Sequence, residues 1–176
     1  AFQAPLIDRF FTYNGGFNGF MNPSTSKTIN VGLNHLTEKS KTKVTLYRSN
    51  IKNEMYFSGS ANTNLDESHK QGLELQNTFA VNPKLSTNVN YAYTNAIIDK
   101  EADNSAFNGK TNPMTSKHNI SASVIYSISD NASITLTQKY RSSAFNESDY
   151  LNTGINKQMA YNSTDFNFSY SPSENL

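Results

Sequence analysis

Aromatic side chains recur in the long polar segments of the chain, accompanied by methionines and an arginine. Rings of this kind stack on flat organic ligands, and a guanidinium pairs with a carboxylate or another anion, so these residues could form a binding site. The alternative is that they pack the polar segments against one another. The candidate ligand-binding residues are Tyr56, Phe57, Phe107, Met114, Arg141, Phe145 and Tyr150.

Histidine side chains could hold a haem iron, because imidazole is a common axial ligand. His69 and His118 each stand where a polar segment gives way to an alternating one, and they are the candidate haem ligands. His35 stands near the opposite end of its segment, close to a tight turn, and is not a candidate.

Carboxylates at the first, third and fifth positions of "DKEADNSAFNGK" resemble the start of a calcium-binding loop. The rest of that pattern fails, because Asn104 replaces the turn glycine and Lys110 replaces the bidentate glutamate. A loop that binds a cation weakly and a solvated acidic patch both fit these residues. The sequence therefore predicts no defined metal site, and since cysteine is absent it contains no thiolate site or disulfide.

No combination of residues predicts catalysis. Serine is abundant, but no nucleophile elbow occurs and no residue is placed to orient a histidine as a base. The "GKT" at residues 109–111 lacks the earlier glycine of a phosphate-binding loop. We therefore expect a protein that is not an enzyme and that carries no cofactor.

The charge pattern excludes another class of function. Formal net charge is +1, and charged residues make up 16% of the 176 residues, below the roughly 25% of soluble domains. Polarity comes instead from Asn, Ser and Thr. So balanced a chain creates no field that would attract nucleic acid. No apolar run approaches the roughly 20 residues of a membrane-spanning helix.

Apolar and polar residues alternate through most of the chain, which indicates β-strands with two different faces. In residues 28–35, for example, Ile29, Val31 and Leu33 share one face, and asparagines and a glycine share the other. About seven to eight strands are expected. The clearest lie in residues 28–35, 44–47, 73–81, 88–94, 120–128, 133–140 and 165–170.

The connections between these strands alternate between short and long. Tight turns are predicted at residues 38–42, 82–84, 129–131 and 172–175, and long polar segments at 10–25, 49–69, 95–117 and 142–158. This alternation is typical of an up-and-down transmembrane β-barrel, with short periplasmic turns and long extracellular loops. Residues 1–25 are then an extracellular loop region, and residues 26–176 carry the strands.

Three architectures fit an alternating all-β chain. Segments of about ten residues suit a tilted span of a lipid layer, whereas a soluble β-sandwich typically has shorter strands. The polar second face suits a water-filled lumen. Because about seven strands do not normally close a barrel, we expect an antiparallel segment of a larger one. A smaller barrel acting as a passive pore or adhesin, and a soluble β-sandwich binding module, are the alternatives.

Several stretches of the chain resemble TonB-dependent outer-membrane receptors. "AFQAPLIDRFF" is similar to their "FRAP" stretch, with Gln3 in place of the arginine. "NPSTSKTINVGLNH" is similar to the signature that follows, with Ser24 where Pro-Glu begins. "HKQGLELQNTFAVNPKLSTNVNYAYTNA" and "NGKTNPMTSKHNISASVIY" resemble the strand pair and the return strand that come next. The resemblance runs in order through nearly the whole chain.

The resemblance implies the later part of a 22-stranded transmembrane barrel, without the plug domain or the C-terminal strand. It implies a receptor in the outer membrane of a Gram-negative bacterium that binds and imports an iron chelate, such as a siderophore, with energy from TonB. The implied partners are outer-membrane lipid, the iron chelate and, through the plug, the TonB complex; nucleic acid is not among them. The candidate ligand-binding residues would lie in the extracellular loops and the nearby lumen.

The same interpretation predicts the depth of the outward residues. Val89 and Val124 are expected near the midplane of the lipid, and aromatic residues are favoured at its two interfaces. The expected interfacial residues are Phe79, Val81 and Tyr126 on the periplasmic side and Tyr93 and Tyr140 on the outer side.

Overall fold

A computed structural model describes residues 1–12, 14–57 and 61–172, and these residues fold into one antiparallel sheet of eight strands. The strands are β1 (Phe2–Gln3), β2 (Ser24–Leu36), β3 (Ser40–Phe57), β4 (Asn62–Asn82), β5 (Leu85–Lys100), β6 (His118–Ser129), β7 (Ala132–Arg141) and β8 (Tyr161–Tyr170). Each strand pairs with its neighbours in the sequence, so the sheet is an open up-and-down meander. The predicted all-β, antiparallel fold class is confirmed.

The connections at one end of the sheet are tight turns. They join β2 to β3, β4 to β5 and β6 to β7 with two or three residues each, as predicted. The turn predicted at residues 172–175 extends outside the described residues. At the other end the connections are longer and include two 3₁₀ turns, Ile7–Phe10 and Ser105–Phe107. Across the described ranges, no helix has the length and apolar character needed to cross a membrane.

Cross-strand register sorts the side chains onto two faces, because directly opposed residues of antiparallel strands point the same way. One apolar row is Val31, Leu46, Leu73 and Tyr93, and the row beside it is Asn30, Tyr47, Gly72 and Thr94. The sheet therefore has an apolar face and a polar face, as the alternation in the sequence predicts.

No second layer of the described chain covers the apolar face. Val31 is 67% exposed, and Leu136, near the other edge of the sheet, is 49% exposed. In a soluble β-sandwich such residues would be buried against a facing sheet. The open, single-layered sheet is instead the form that a segment of a barrel takes.

The strands β3 and β4 are longer than the sequence pattern indicated. We expected a polar loop at residues 49–69, but β3 continues to Phe57, β4 begins at Asn62, and these two residues still pair. Alternation is hidden here because most residues are polar on both faces and Met55, Tyr56 and Phe57 are apolar in succession, so backbone hydrogen bonding rather than burial defines the strand ends. The loop prediction was wrong over most of this segment. Similarly, β5 continues to Lys100, into the predicted loop 95–117.

The small core lies where the long connections fold over the polar face. Residues 109–117 run beside the upper part of β5 and continue its ladder of hydrogen bonds. Ile98 N donates to Lys110 O at 2.9 Å, and Asn112 N donates to Ala96 O at 3.0 Å. This arrangement buries the far end of β5 beneath the connections, and Leu65, Ile98 and Tyr150 form the resulting core.

Candidate functional site

Three of the candidate aromatic residues form one cluster above the polar face. The ring centroid of Tyr150 lies 4.7 Å from that of Tyr56 and 5.3 Å from that of Phe107. The cluster packs on Leu65 and Ile98, and Tyr150 is only 8% exposed. These rings therefore tie β3 to the two long connections, which is the packing arrangement that the sequence left open as the alternative.

Burial also changes the chemistry of the two phenols in this cluster. Removal from water disfavours the phenolate, and this raises the pKa of Tyr56 to about 12, with a further contribution from the charge of Glu101. The pKa of Tyr150 is also raised, mainly by burial and then by the charge of Glu54. Both phenols therefore stay neutral near physiological pH.

Glu54 connects the wall of the sheet to the connection 101–117. Its Oε1 accepts a hydrogen bond from Lys70 Nζ at 2.9 Å, and its Oε2 accepts bonds from Ser68 Oγ at 2.7 Å and Asn112 Nδ2 at 2.8 Å. The carboxylate and the ammonium are both partly shielded from water. Each bond is therefore stronger than it would be on an open surface, and together they hold the connection over the polar face.

A pocket of about 410 Å³ lies beside Glu54 on the polar face. Its charged lining residues are Glu54, Lys70 and Arg9, the last on the 3₁₀ turn Ile7–Phe10. Arg9 Nη1 donates to Asn62 Oδ1 at 3.4 Å, and no carboxylate of the described chain pairs with it. The other lining residues are Ala1, Phe2, Gln3, Leu6, Ser24, Ser26, Ile51 and Met55. Two positive charges against one negative charge, with apolar neighbours, suit a small anionic ligand.

Sequence reasoning did not identify the charged residues of this pocket. Arg9, Glu54 and Lys70 are isolated charges in polar stretches, and such side chains are usually solvated. The available signal was the alternation of side chains between the two faces of a strand. Lys70 is two residues from Gly72 and therefore lies on the same, polar face. Phe57, which sequence reasoning did select, is exposed at the end of β3 and does not line the pocket.

A second group of candidate residues meets near the upper end of β7. Arg141 Nε donates to Ser116 Oγ at 2.8 Å, and Arg141 Nη2 donates to the carbonyl oxygen of Met114 at 3.4 Å. Met114 N in turn donates to Phe145 O at 2.9 Å. Lys157 Nζ lies 4.7 Å from the centroid of the Phe145 ring, and a cavity of about 200 Å³ adjoins both side chains. These contacts bring three of the candidate residues, Arg141, Met114 and Phe145, into one group.

The structure places both candidate haem ligands on the apolar face. His69 Nδ1 lies 2.8 Å from each carboxylate oxygen of Asp99, and His118 Nδ1 lies 2.9 Å from the hydroxyl of Tyr91. Both histidines belong to the alternate positions that form the apolar face, and β5 lies between them. They do not converge on a shared site, and neither lines the pocket beside Glu54.

The acidic segment that begins at Asp99 does not close around a metal ion. Asp99 is bonded to His69, whereas Glu101 is buried, with 3% of its surface exposed. Burial raises the pKa of Glu101, and the charges of Asp66 and Asp103 raise it further, against the opposing effect of their backbone amides. The described residues contain no group of three or more His, Asp or Glu side chains able to hold a metal ion.

An open antiparallel sheet with an uncovered apolar face, a polar face with a pocket, and tight turns opposite long connections defines a segment of a transmembrane-type β-barrel. Over residues 1–176 the sequence matches the family described as TonB dependent receptor-like, beta-barrel. The chain belongs to this family. Receptors of the family are outer-membrane β-barrel proteins of Gram-negative bacteria, and they are transporters rather than enzymes.

Solved structures of such proteins share the fold of the chain at low sequence identity. The ferric yersiniabactin uptake receptor FyuA from Yersinia pestis matches 86% of the chain with a TM-score of 0.67 and 16% identity. The ferric citrate transporter FecA matches 87% (TM-score 0.69, 20% identity), and the copper transporter OprC matches 99% (TM-score 0.75, 14% identity). The chain spans 23%, 24% and 28% of these three proteins, respectively. No protein of curated function matches the chain by sequence.

Proposed function

We propose that the chain is part of the wall of an outer-membrane receptor that binds an iron chelate, such as a siderophore, and imports it with energy transmitted by TonB. The observation that carries this proposal is the pocket beside Glu54, between the polar face and the connection that contains Arg9. In a closed barrel the polar face lines the lumen. The pocket would therefore open into the path of an imported molecule.

The slant of the apolar face supports a wall that spans lipid. The apolar residue of this face nearest the long connections is Ile29 on β2 but Phe166 on β8. The cross-strand row from Phe166 runs through Leu136, Val124, Thr87, Phe79 and Ser40 to Thr37. Thr37 lies eight residues beyond Ile29. The upper limit of the apolar residues is therefore displaced by about 26 Å along the strand direction between β8 and β2, which are about 29 Å apart across the sheet. An apolar band level with a membrane then requires strands tilted by about 40°, as in transmembrane barrels.

The charges of the pocket favour an anionic chelate. Arg9 and Lys70 supply positive charge, and Glu54 offsets part of it. A guanidinium can donate two parallel hydrogen bonds to a carboxylate, which gives direction as well as attraction. Arg141 and Phe145 would form a second contact group nearer β7.

Uptake and binding by the full-length receptor test the proposal. Cells that produce the receptor are supplied with chelates of radioactive iron, in strains with and without TonB. We expect binding in both strains and accumulation only in the strain with TonB. Copper salts are supplied in parallel, because one structural relative is a copper transporter. Failure to bind any iron chelate, or accumulation that does not depend on TonB, would show that the proposed function is wrong.

Substitutions in the pocket locate the binding site. Arg9→Gln and Lys70→Gln each remove one positive charge, and each should weaken binding of an anionic chelate about tenfold. Lys43→Gln is the matched control, since it removes the same charge from the polar face of β3 outside the pocket. Equal affinity in all three variants would place the site elsewhere, and TonB-dependent uptake would still report the receptor function separately.

A further inference from the structure

A group of basic side chains lies directly above the apolar face, at the end of the sheet nearer the long connections. This basic patch consists of Lys27 on β2 and of Arg48 and Lys52 on β3. Lys27 stands two residues from Ile29, and Arg48 stands two residues from Leu46, on the same set of alternate positions. The three side chains therefore project from the side of the sheet that carries the apolar residues, away from the pocket.

The carboxylates near the basic patch leave two of its charges unpaired. Lys52 Nζ lies 3.0 Å from Glu67 Oε1, and Asp99 is bonded to a histidine. Within the part of the chain that the structure describes, no carboxylate pairs with Lys27 or Arg48. Because the nearby acidic groups already have partners, the surface keeps a net positive charge.

The side chain of Arg48 is already oriented on this surface. Its Nε donates to Asn50 Oδ1 at 3.2 Å, and its Nη1 donates to Gln71 Oε1 at 2.8 Å. Both acceptors are neutral, so the guanidinium keeps its full charge. A guanidinium has five N–H groups, and those not used in these two bonds are available to an outside acceptor. Phosphate oxygens match the planar, multiple donors of arginine particularly well.

The height of the basic patch coincides with the edge of a lipid hydrocarbon layer. Arg48 lies eight residues after Ser40, the first residue of β3 beyond its tight turn, which is about 26 Å along the strand. With strands tilted by about 40°, Arg48 stands about 20 Å above the turn, close to the upper limit of an apolar band about 25 Å tall. Lipid phosphate groups lie just outside the hydrocarbon. The long lysine and arginine side chains of the patch extend from just inside this limit to the level of the phosphates.

We propose that the basic patch binds the phosphate groups of an anionic, phosphorylated lipid in the leaflet on the side of the long connections. Lys27 and Arg48 bind the phosphates, whereas the charge of Lys52 is balanced by Glu67. A membrane lipid fits better than a soluble phosphate, because Ile29 and Leu46 just below the patch are exposed and would contact the acyl chains. This inference rests on the proposed placement of the sheet in an outer membrane.

Lipid retention by the full-length receptor tests this inference. The detergent-purified receptor is mixed with a diphosphorylated glycolipid or with the same glycolipid after removal of its phosphates, and bound lipid is counted by native mass spectrometry. We expect the unmodified receptor to retain the phosphorylated lipid and the double variant Lys27→Gln/Arg48→Gln to retain about tenfold less. Equal retention by the two proteins, or equal retention of the two lipids by the unmodified receptor, would overturn the inference.

Two controls separate this inference from general charge effects and from the proposed function. The double variant Lys41→Gln/Lys43→Gln removes two positive charges from the polar face of the same strand, and it should retain lipid normally. An equal loss in this variant would also overturn the inference. Excess inorganic phosphate should not displace the lipid, and displacement would identify a site for free phosphate instead. Chelate binding is measured in the same preparations, so its failure is recorded independently of lipid retention.

Discussion

The hydroxyl of Tyr47 lies 2.8 Å from Oγ1 of Thr94, and the tyrosine side chain passes over Gly72 on the strand between them. Tyr47 is opposite Gly72 in the register, and Gly72 is opposite Thr94, so the bond joins β3 to β5 across β4. A Cβ on Gly72 would stand 2.8 Å from the tyrosine hydroxyl. The absence of a side chain at residue 72 therefore makes room for this contact on the polar face.

Gly72→Ala is expected to destabilise the barrel wall. The added Cβ would conflict with the carbonyl oxygen of Tyr93 and with the side chain of Tyr47, and the backbone contact leaves no flexible group to move aside. We expect a loss of about 1–3 kcal/mol, as for other overpacked sites, measured by urea unfolding of the full-length receptor in detergent. Gly32→Ala is the control, since the nearest atom to its Cβ would be the carbonyl oxygen of Val44 at 3.4 Å. Equal stability of the two variants would contradict this steric account.

Val124→Arg is expected to weaken the barrel through its outward face. Val124 lies between Thr87 and Leu136 in the register of the apolar face. An arginine on the lipid face near the midplane costs about 2–4 kcal/mol, so heat-modifiable assembly on gels and unfolding midpoints should both decrease. Thr135→Arg places the same side chain on the polar face of the neighbouring strand and should cost less. If Val124→Arg assembled as well as Thr135→Arg, the assignment of the two faces would be wrong.

The carboxylate of Asp149 organises the connection between β7 and β8. Its Oδ1 accepts bonds from the backbone N of Thr153 at 2.8 Å and from the Thr153 hydroxyl at 3.1 Å, and its Oδ2 accepts a bond from Gly154 N at 2.8 Å. Burial opposes ionisation, but these hydrogen bonds outweigh it and lower the pKa of Asp149 below its usual value.

Acid is therefore expected to loosen this connection. A carboxylate whose pKa is lowered in the folded state stabilises that state fully at pH values above its unfolded-state pKa. This stabilisation is lost as the pH falls through the folded-state pKa. Hydrogen-exchange protection of the Thr153 and Gly154 amides should thus be constant near neutral pH and decrease in acid. Asp149→Asn should remove this dependence, and Glu147→Gln should retain it. Loss of protection already near neutral pH would contradict the assignment.

The face on which each strand residue lies could be predicted because one face of the sheet is apolar and the other polar. Ile29, Val31 and Leu33 share a face in the structure as their alternation indicates. The ends of β3 and β4 could not be predicted in this way. Residues 49–54 and 62–69 are mostly polar on both faces, and Met55, Tyr56 and Phe57 follow one another without a polar residue between them, so the alternation stops while backbone pairing continues. Hydrophobic periodicity reveals a strand only where its two faces differ in polarity. It does not reveal backbone hydrogen bonding where the two faces are alike.

The arrangement of the candidate site depends on contacts that periodicity does not contain. Tyr56 and Tyr150 were recognisable as aromatic candidates, but their contact arises only when the connection that carries Tyr150 folds back over β3. The bond between Glu54 and Asn112 likewise joins residues 58 positions apart. The alternation of faces could assign Lys70 to the polar face. Its pairing with Glu54, however, depends on a positive-φ residue, Asn53, which interrupts the regular alternation within β3. Such local departures from regular geometry leave no pattern in hydrophobicity.

Tyr150 is expected to stabilise the connections rather than to contact ligand. Tyr150→Ala removes its ring from Tyr56 and Phe107 and should lower local stability by about 3–5 kcal/mol. Proteolysis of the connections 101–117 and 142–160 in the intact receptor should then become faster. Tyr150→Phe keeps the ring and should resist proteolysis, as should Leu151→Ala, which changes the exposed neighbour. Unchanged cleavage of the alanine variant, combined with reduced chelate binding, would favour the ligand-contact interpretation instead.

Glu54 is expected to regulate the charge of the pocket, because its carboxylate is bonded to Lys70 Nζ at 2.9 Å. Glu54→Gln keeps the size of the side chain and removes its negative charge, so the ammonium becomes available to an anionic chelate. The Kd for such a chelate should decrease about fivefold, whereas Lys70→Gln should increase it about tenfold. Glu74→Gln removes a carboxylate from the polar face of β4 outside this pocket and should leave the Kd unchanged. The expected changes in Kd thus have opposite signs in the Glu54 and Lys70 variants. Weaker binding in both variants would contradict this prediction. It would mean that Glu54 and Lys70 act together to hold the connection at Asn112, and that charge balance does not govern affinity.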